Sequence, residues 1–351
     1  MRFLATLLIT LGLTFGAGSC TKNPATGKTQ LNFMSQAEEI QLGNQAAPQF
    51  LAEGGGELPS PQIVAYVRDL GMQLVAVCER PDLPWEFHVL NSKQINAFAL
   101  PGGKVFMSRG LLEKMSNEAQ LVAVLGHEVG HVTAQHIGQQ MSQAMVLQGL
   151  AIGVGVAGEA TDSDLLRVLG VGGQVGGGLY LLKFGRSQES EADMLGIRYM
   201  TRIGYNPIGM MQVMQILKAA SGGGSQWEIL STHPDPDRRY DDAEKIIQRD
   251  HPDVADATKY KFNEPRFQQI VVAGLKKLPP AKAMNEVPLR TAALDQGASQ
   301  TGSATGAANE TKPGTPSRPL TALEKAMLLA KCNCHPAGDH QAMLPQAIDP
   351  R

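Results

Sequence analysis

The stretch LVAVLGHEVGHVTAQH, residues 121–136, sets three histidines and one glutamate in an otherwise largely apolar run. Polar groups buried in such a run need partners, because desolvating them alone is costly. Leu121, Val122, Val124, Leu125, Val129 and Val132 recur at helical spacing, and Asn117 followed by Glu118 offers an N-terminal cap. On that helix, predicted over about 117–140, His127 and His131 lie on one face, one turn apart. Two imidazoles held this way form two arms of a zinc clamp, with Glu128 beside them as a general base.

A catalytic zinc site takes three protein ligands and keeps a fourth position for water. His136 is near in sequence, but five residues past His131 it would sit about 140° around a continuous helix. It reads as a helix-end residue, and the metzincin pattern fails as well, since Ala134 and Ile137 stand where Gly and His are required. The better third arm is in RSQESEADMLG, residues 186–196, where Glu189 and Asp193 are four apart on one helical face. Ala192 and Gly196 are small enough to let this helix approach the first. Glu189 would ligate the metal, while Asp193 would hydrogen-bond a zinc-bound histidine or assist proton transfer. Glu191, two residues on, is expected to point away. The competing reading, a solvated acidic face, would leave a two-histidine clamp without a partner.

With His127, His131 and Glu189 as ligands, one Zn2+ per chain would lower the pKa of its water to roughly 7 and polarise a substrate carbonyl. Glu128 would take the water's proton and return it to the leaving amine. STHPDPDRRY, residues 231–240, offers His233, Arg238 and Arg239 to the developing oxyanion. A Pro-rich turn whose arginines pair with carboxylates is the plainer reading of that segment.

Outward from this core, the 351 residues suffice for one large or two modest domains. A net charge of −2 without Lys/Arg blocks argues against nucleic-acid binding. MRFLATLLITLGLTFGAGSC, residues 1–20, has a basic start, a short apolar run and small residues before Cys20. It is too short for a stable membrane span and reads as an export signal over 1–19, with Cys20 in a lipobox-like position. Ala17 occupies the place where Leu is usual, so cleavage without lipidation is the alternative. Residues 20–34 read as a polar tether.

Ser35 and Glu38 form a capping box for a first helix, and Ser60 with Pro61 opens a second. WEFHVL alternates like a strand, and NAFALPGGKVFMS contains two extended runs joined at Pro101-Gly102-Gly103. Residues 145–183 are rich in Gly, Val and Leu around the break EATDSD; the apolar pieces are short for membrane spans, and core or membrane-facing helices are both open, with core packing the better reading. The helix carrying Glu189 should end at Gly204, with Pro207 opening the next. A metallopeptidase domain is expected over 35–280, a linker of low complexity over 281–318 and a tail over 319–351 with a short helix. In that tail Cys332, Cys334 and His335 fall one residue short of a haem-attachment spacing, and Cys78 completes an odd set of three without a disulfide framework.

Five segments together resemble the zinc metalloendopeptidases of peptidase family forty-eight, the HtpX-like and CAAX-prenyl-protease-like enzymes, and in particular their periplasmic type. They are NPATGKTQLNFMSQAEEIQLG (23–43), NAFALPGGKVFMSRGLL (96–112), GHEVGHVTAQH (126–136), ESEAD (189–193) and STHPDPDRR (231–239). The resemblance implies an α+β, mostly helical gluzincin-type domain with a small antiparallel sheet beside the active-site helix. It implies zinc on His127, His131 and Glu189, catalysis by Glu128, and a proton-donor or orienting role for Asp193. His233 matches a histidine that caps the metal in a resting state, and Arg239 an arginine near the reaction centre. Asn96, Ala97, Phe98 and Ala99 match the edge strand along which an extended peptide pairs.

The expected function is hydrolysis of misfolded or stalled cell-envelope proteins by a periplasm-facing lipoprotein, anchored in the outer membrane through Cys20. Unfolded or misassembled envelope proteins would be its substrates. The alternative is a metal-bound chaperone or assembly adaptor with latent proteolysis. A tetratricopeptide domain and multiple membrane spans, present in some relatives, are not evident.

Overall fold

The computed structural model describes residues 20–153, 183–221 and 232–281. The expected export signal, most of the 145–183 segment, and the linker and tail with Cys332, Cys334 and His335 lie outside the described residues. The chain divides into a unit over Met1–Ala293, which holds every described residue, and a second over Leu294–Arg351. Among the described residues no helix is long and apolar enough to cross a membrane.

Helix α1 spans Gln36–Glu53. Its capping box is formed as the sequence anticipates: the Glu38 N–H donates to Ser35 Oγ at 3.3 Å, and the Ser35 N–H to the Glu38 carboxylate at 2.7 Å. Helix α2, Pro61–Val75, opens on its proline, although the Ser60 side chain makes no capping bond. Three strands follow: β3 (Glu86–Leu90), β4 (Ala97–Leu100) and β5 (Lys104–Ser108). The β4–β5 hairpin turns at Gly102 and Gly103, whose φ of 74° and 90° favour residues without a Cβ. The sheet order is β3-β5-β4, antiparallel between β4 and β5 and parallel between β3 and β5. The sheet is therefore mixed rather than purely antiparallel. β5 is central and buried along its whole length, as a strand covered on both faces must be, and β4 is an edge.

A short turn of helix, α3 (Arg109–Leu112), leads into α4, Glu118–Thr133. Asn117 caps α4 by accepting the Gln120 N–H at 3.0 Å. Every residue of α4 is buried, which explains its near-continuous apolarity. At its first turn the buried Glu118 accepts from Tyr66 and Tyr205, tying α4 to α2 and to the loop after the Glu189 helix. The expected single helix over 117–140 is broken. Gln135 adopts φ of 59°, and α5 (His136–Gly153) starts in a new direction.

Helix α6, Arg186–Arg202, packs along α4, and Gly204, just past its end, turns the chain with φ of 77°. Helices α7 (Ile208–Ser221) and α8 (Pro236–Asp250) close the far side.

Residues 20–34 are not a free tether. β1 (Cys20–Lys22) and β2 (Thr29–Leu31) form an antiparallel ribbon, with Cys20 opposite Leu31. The ribbon and the residues after it bond to α5 and its approach: Gln30 Nε2 donates to Gln135 Oε1 at 2.7 Å, and the Phe33 N–H to Ser142 Oγ at 2.8 Å.

Candidate metal centre

Helices α4 and α6 approach closely because small residues face each other. A Cβ added at Gly196 would come within 3.0 Å of the His127 backbone nitrogen, and one at Gly130 within 3.1 Å of the Ala192 carbonyl oxygen. This approach brings Glu189 of α6 to the two histidines of α4. His131 Nε2 lies 3.3 Å from Glu189 Oε1, His127 Nε2 lies 3.7 Å from Oε2, and the two Nε2 atoms are 3.0 Å apart. His233, from the segment before α8, joins them with Nδ1 at 2.9 Å from Glu189 Oε1. One ligand atom from each of these four buried residues lies within 4.8 Å of the other three.

The outer face of each imidazole decides its tautomer. His127 Nδ1 is 2.8 Å from Asp193 Oδ1, and a carboxylate only accepts, so Nδ1 carries the proton and Nε2 a lone pair. His131 Nδ1 faces His136 Nδ1 at 2.9 Å, and because His136 donates from Nε2 to the Glu191 carboxylate at 3.0 Å, His131 donates between the two rings and keeps a lone pair on Nε2 toward the centre. Two lone pairs turned on each other at 3.0 Å repel unless a cation stands between them. Glu189 Oε2 is buried without a hydrogen bond, although Arg239 Nη1 approaches it out of line at 2.7 Å. Both observations fit a metal held by His127, His131 and Glu189.

The electrostatics agree. Burial drives His131 well below its ordinary value, keeping the imidazole neutral and able to ligate. Burial pushes the Glu189 carboxyl up, but His233 and Arg239 outweigh it and hold the group well below the usual carboxylate range. Asp193 is lowered in the same way, by Arg239 against burial. Glu128 goes the other way, raised by burial, as suits a group that must accept a proton. Its Oε2 and His233 Nε2 are buried without hydrogen bonds, and His233 Nε2 stands 3.9 Å from Glu128 Oε1. Beside them runs an apolar wall of Val124, Met210, Val213, Met214 and Leu217.

All the metal-site residues expected from sequence therefore converge. Arg239 is there too, but its guanidinium holds Asp193 and Glu189. Arg238 lies outside, against Ser190 and the Arg186 carbonyl. His136 and Glu191 both stay outside the ligand cluster, as expected, but they meet each other behind it. His136 is fully buried against His131, and Glu191 turns toward His136 at 3.0 Å. The helix break at Gln135 brings His136 back, whereas an unbroken helix would have carried it away. Asn96–Ala99 lie on the edge strand and its approach, and β4 packs against α4.

A family model described as Peptidase family M48 matches residues 61–247. The chain is 32% identical over 294 residues to the beta-barrel assembly-enhancing protease of Yersinia pestis, covering 79% of this chain and 60% of that protein. With the protein of the same name from Escherichia coli K12 the identity is 29% over 249 residues, 69% of this chain and 50% of the relative. The mitochondrial metalloendopeptidase OMA1 of Schizosaccharomyces pombe is 30% identical over 223 residues, 62% and 63% respectively. The chain thus spans about half to three-fifths of the length of these relatives. It belongs to peptidase family M48.

Proposed function

We propose that this member of peptidase family M48 is a zinc metalloendopeptidase of the bacterial cell envelope that cleaves misfolded or stalled envelope proteins. The observation that carries the reading is the convergence of His127, His131 and Glu189 with Glu128 beside them, its Oε2 buried without a hydrogen bond and its proton affinity raised. Two imidazoles and a carboxylate are a donor set that suits zinc. When bound, the ion acts as a Lewis acid toward water and the substrate carbonyl. Glu128 accepts the proton of the attacking water and then delivers it to the departing amine nitrogen. Asp193 holds the His127 ring, and Arg239 holds Asp193.

Substrate binding follows from β4. The Ser108 N–H donates to the Asn96 carbonyl, and antiparallel pairing alternates from there along the register Ala97–Met107, Phe98–Phe106, Ala99–Val105. Ala97 and Ala99 therefore turn their peptide groups away from β5, where an extended substrate can add as a strand. The apolar wall next to Glu128 favours an apolar substrate side chain beside the cleaved bond. Such a site reads unfolded backbone rather than a folded surface. The names of the relatives support substrates in envelope assembly, and the segment ending at Cys20 supports export and a lipid anchor at the outer membrane. His233 serves as a resting-state cap on the centre. The test is cleavage of a permanently unfolded protein by purified chain. Wild type should cleave it and Glu128→Gln should not, with zinc retained in both; equal cleavage by the two would refute the assignment.

A further inference from the structure

Glu191 stands on α6 between Glu189 and Asp193, yet its carboxylate leaves the centre and meets His136 Nε2 at 3.0 Å. His136 is fully buried, and its other nitrogen, Nδ1, is 2.9 Å from Nδ1 of His131. The contacts form one chain of donors. The carboxylate can only accept, so His136 Nε2 carries the proton and His136 Nδ1, in the neutral ring, accepts. The proton between the two rings then belongs to His131, whose remaining nitrogen, Nε2, is left with a lone pair toward Glu189 and His127. Glu191 thus decides, two rings away, which nitrogen of His131 is available to a cation.

The far end of this chain is held by the N-terminal ribbon. Asn23, buried in the turn between β1 and β2, donates from Nδ2 to Glu191 Oε2 at 3.3 Å and to the Ala134 carbonyl at 3.4 Å. Its own Oδ1 accepts the N–H groups of Ala25 and Thr26 at 2.9 and 3.2 Å, which fixes the side chain. Lys28, from the same turn, places Nζ 4.0 Å from Glu191 Oε1. Asn23 therefore bridges two places that matter to His131: the carboxylate of the relay, and the end of α4 just before the break that returns His136.

We infer that Glu191 and His136 are positioning residues for the metal, acting through His131, and that Asn23 locks this support from the ribbon that follows Cys20. His127 and His131 are then oriented by carboxylates from one helix, directly by Asp193 and through an intervening imidazole by Glu191. Because the lock lies three residues from Cys20, the segment next to the anchor is part of the metal site's support. The inference rests on the reading of His127, His131 and Glu189 as the metal centre.

The test is zinc affinity of the full chain, measured by competition with a chromogenic chelator, together with the Co2+ visible spectrum and thermal melting. Groups that orient a ligating histidine typically contribute 10–100-fold in metal affinity. Glu191→Ala and His136→Ala should weaken zinc by about that factor and alter the Co2+ band, while still binding one ion at saturation. Glu191→Gln keeps an acceptor oxygen and should recover most of the affinity. Asn23→Ala should weaken zinc by a few-fold (~3-fold is about 0.6 kcal/mol, from the affinity relation) without touching either ring. Should the ring variant fail to melt cooperatively, Glu191→Gln against Glu191→Ala, and Asn23→Ala, decide the matter. Wild type that binds no zinc would remove the metal-centre reading itself. Wild type that binds zinc, with Glu191→Ala and Asn23→Ala matching its affinity and Co2+ spectrum, would overturn the positioning role alone.

Discussion

Arg239 grips Asp193 through two parallel hydrogen bonds, Nε to Oδ2 at 2.7 Å and Nη2 to Oδ1 at 2.6 Å. Both side chains are almost wholly buried, and the third guanidinium nitrogen lies 2.7 Å from Glu189 Oε2. This fork places Arg239 behind the ligands, where it fixes a carboxylate that fixes His127. Removing one partner of a buried pair strands the other charge, at about 3–5 kcal/mol. Arg239→Ala is expected to lose stability of that order in urea unfolding, and Arg239→Lys to restore it only in part, since an ammonium cannot reproduce the fork. Full stability in Arg239→Ala would mean that the guanidinium is free to serve substrate instead.

The contact of α4 with α6 is equally exposed to test. A Cβ at Gly196 meets the His127 backbone nitrogen at 3.0 Å, the Gly126 carbonyl carbon at 3.2 Å and the Met210 methyl at 2.9 Å. Only the methionine can move aside easily. Gly196→Val should therefore force the helices apart, costing about 1–3 kcal/mol as overpacked cores do. Because Glu189 and the histidines sit on opposite sides of that contact, zinc affinity should fall together with stability. A variant of wild-type affinity would show that the small residues are not what sets the ligand spacing.

Much of this centre is legible in the sequence. The i, i+4 pair His127/His131 and the i, i+4 pair Glu189/Asp193 each define one helix face, and Gly196 announces a close neighbour. What was illegible has a common cause. Gln135 turns the chain with φ of 59° although no Gly or Pro marks the place, so the return of His136 could not be read from spacing. The ribbon at 20–31 looks like a tether because its composition is polar. Its order comes from partners over a hundred residues away, such as Gln135 and Glu191. Parallel pairing of β3 with β5 is likewise a tertiary outcome, invisible in the alternation that marked each strand.

A pH-dependent contribution to stability is expected from β3, far from the metal ligands. His88 lies between two carboxylates, with Nδ1 3.0 Å from Glu57 Oε2 and Nε2 3.2 Å from Glu86 Oε2, and it stacks on Phe106. Lys104, on the neighbouring strand, pairs with Glu86 from the other side. Burial pushes His88 down, but the Glu57 and Glu86 contacts outweigh it and its pKa is raised overall. In the unfolded chain the group titrates near ~6.5. The folded value is higher, so the stabilisation is fully present below the unfolded value and is lost as pH rises through the folded one. The melting temperature of wild type should exceed that of His88→Gln most at about pH 5.5, with the gap shrinking toward about pH 8. A gap that widens with rising pH would contradict the assignment.

The last prediction concerns His233. Its Nδ1 is 2.9 Å from Glu189 Oε1 and 3.3 Å from His127 Nε2, inside the ligand cluster, while Nε2 looks toward Glu128. Under the proposed capping role, a fourth protein group in this place would occupy the position that water needs, leaving Glu128 nothing to deprotonate. The capped state is then nearly inactive, and substrate opens it only to the extent that it binds the uncapped state more tightly. His233→Ala should accordingly raise basal cleavage of an unfolded protein and leave zinc on His127, His131 and Glu189. Were His233 a donor to the oxyanion, the same change would lower kcat by about 10²-fold, the order found when one such donor is removed. Turnover of the zinc-loaded variant separates the two, because one role predicts a gain where the other predicts a large loss.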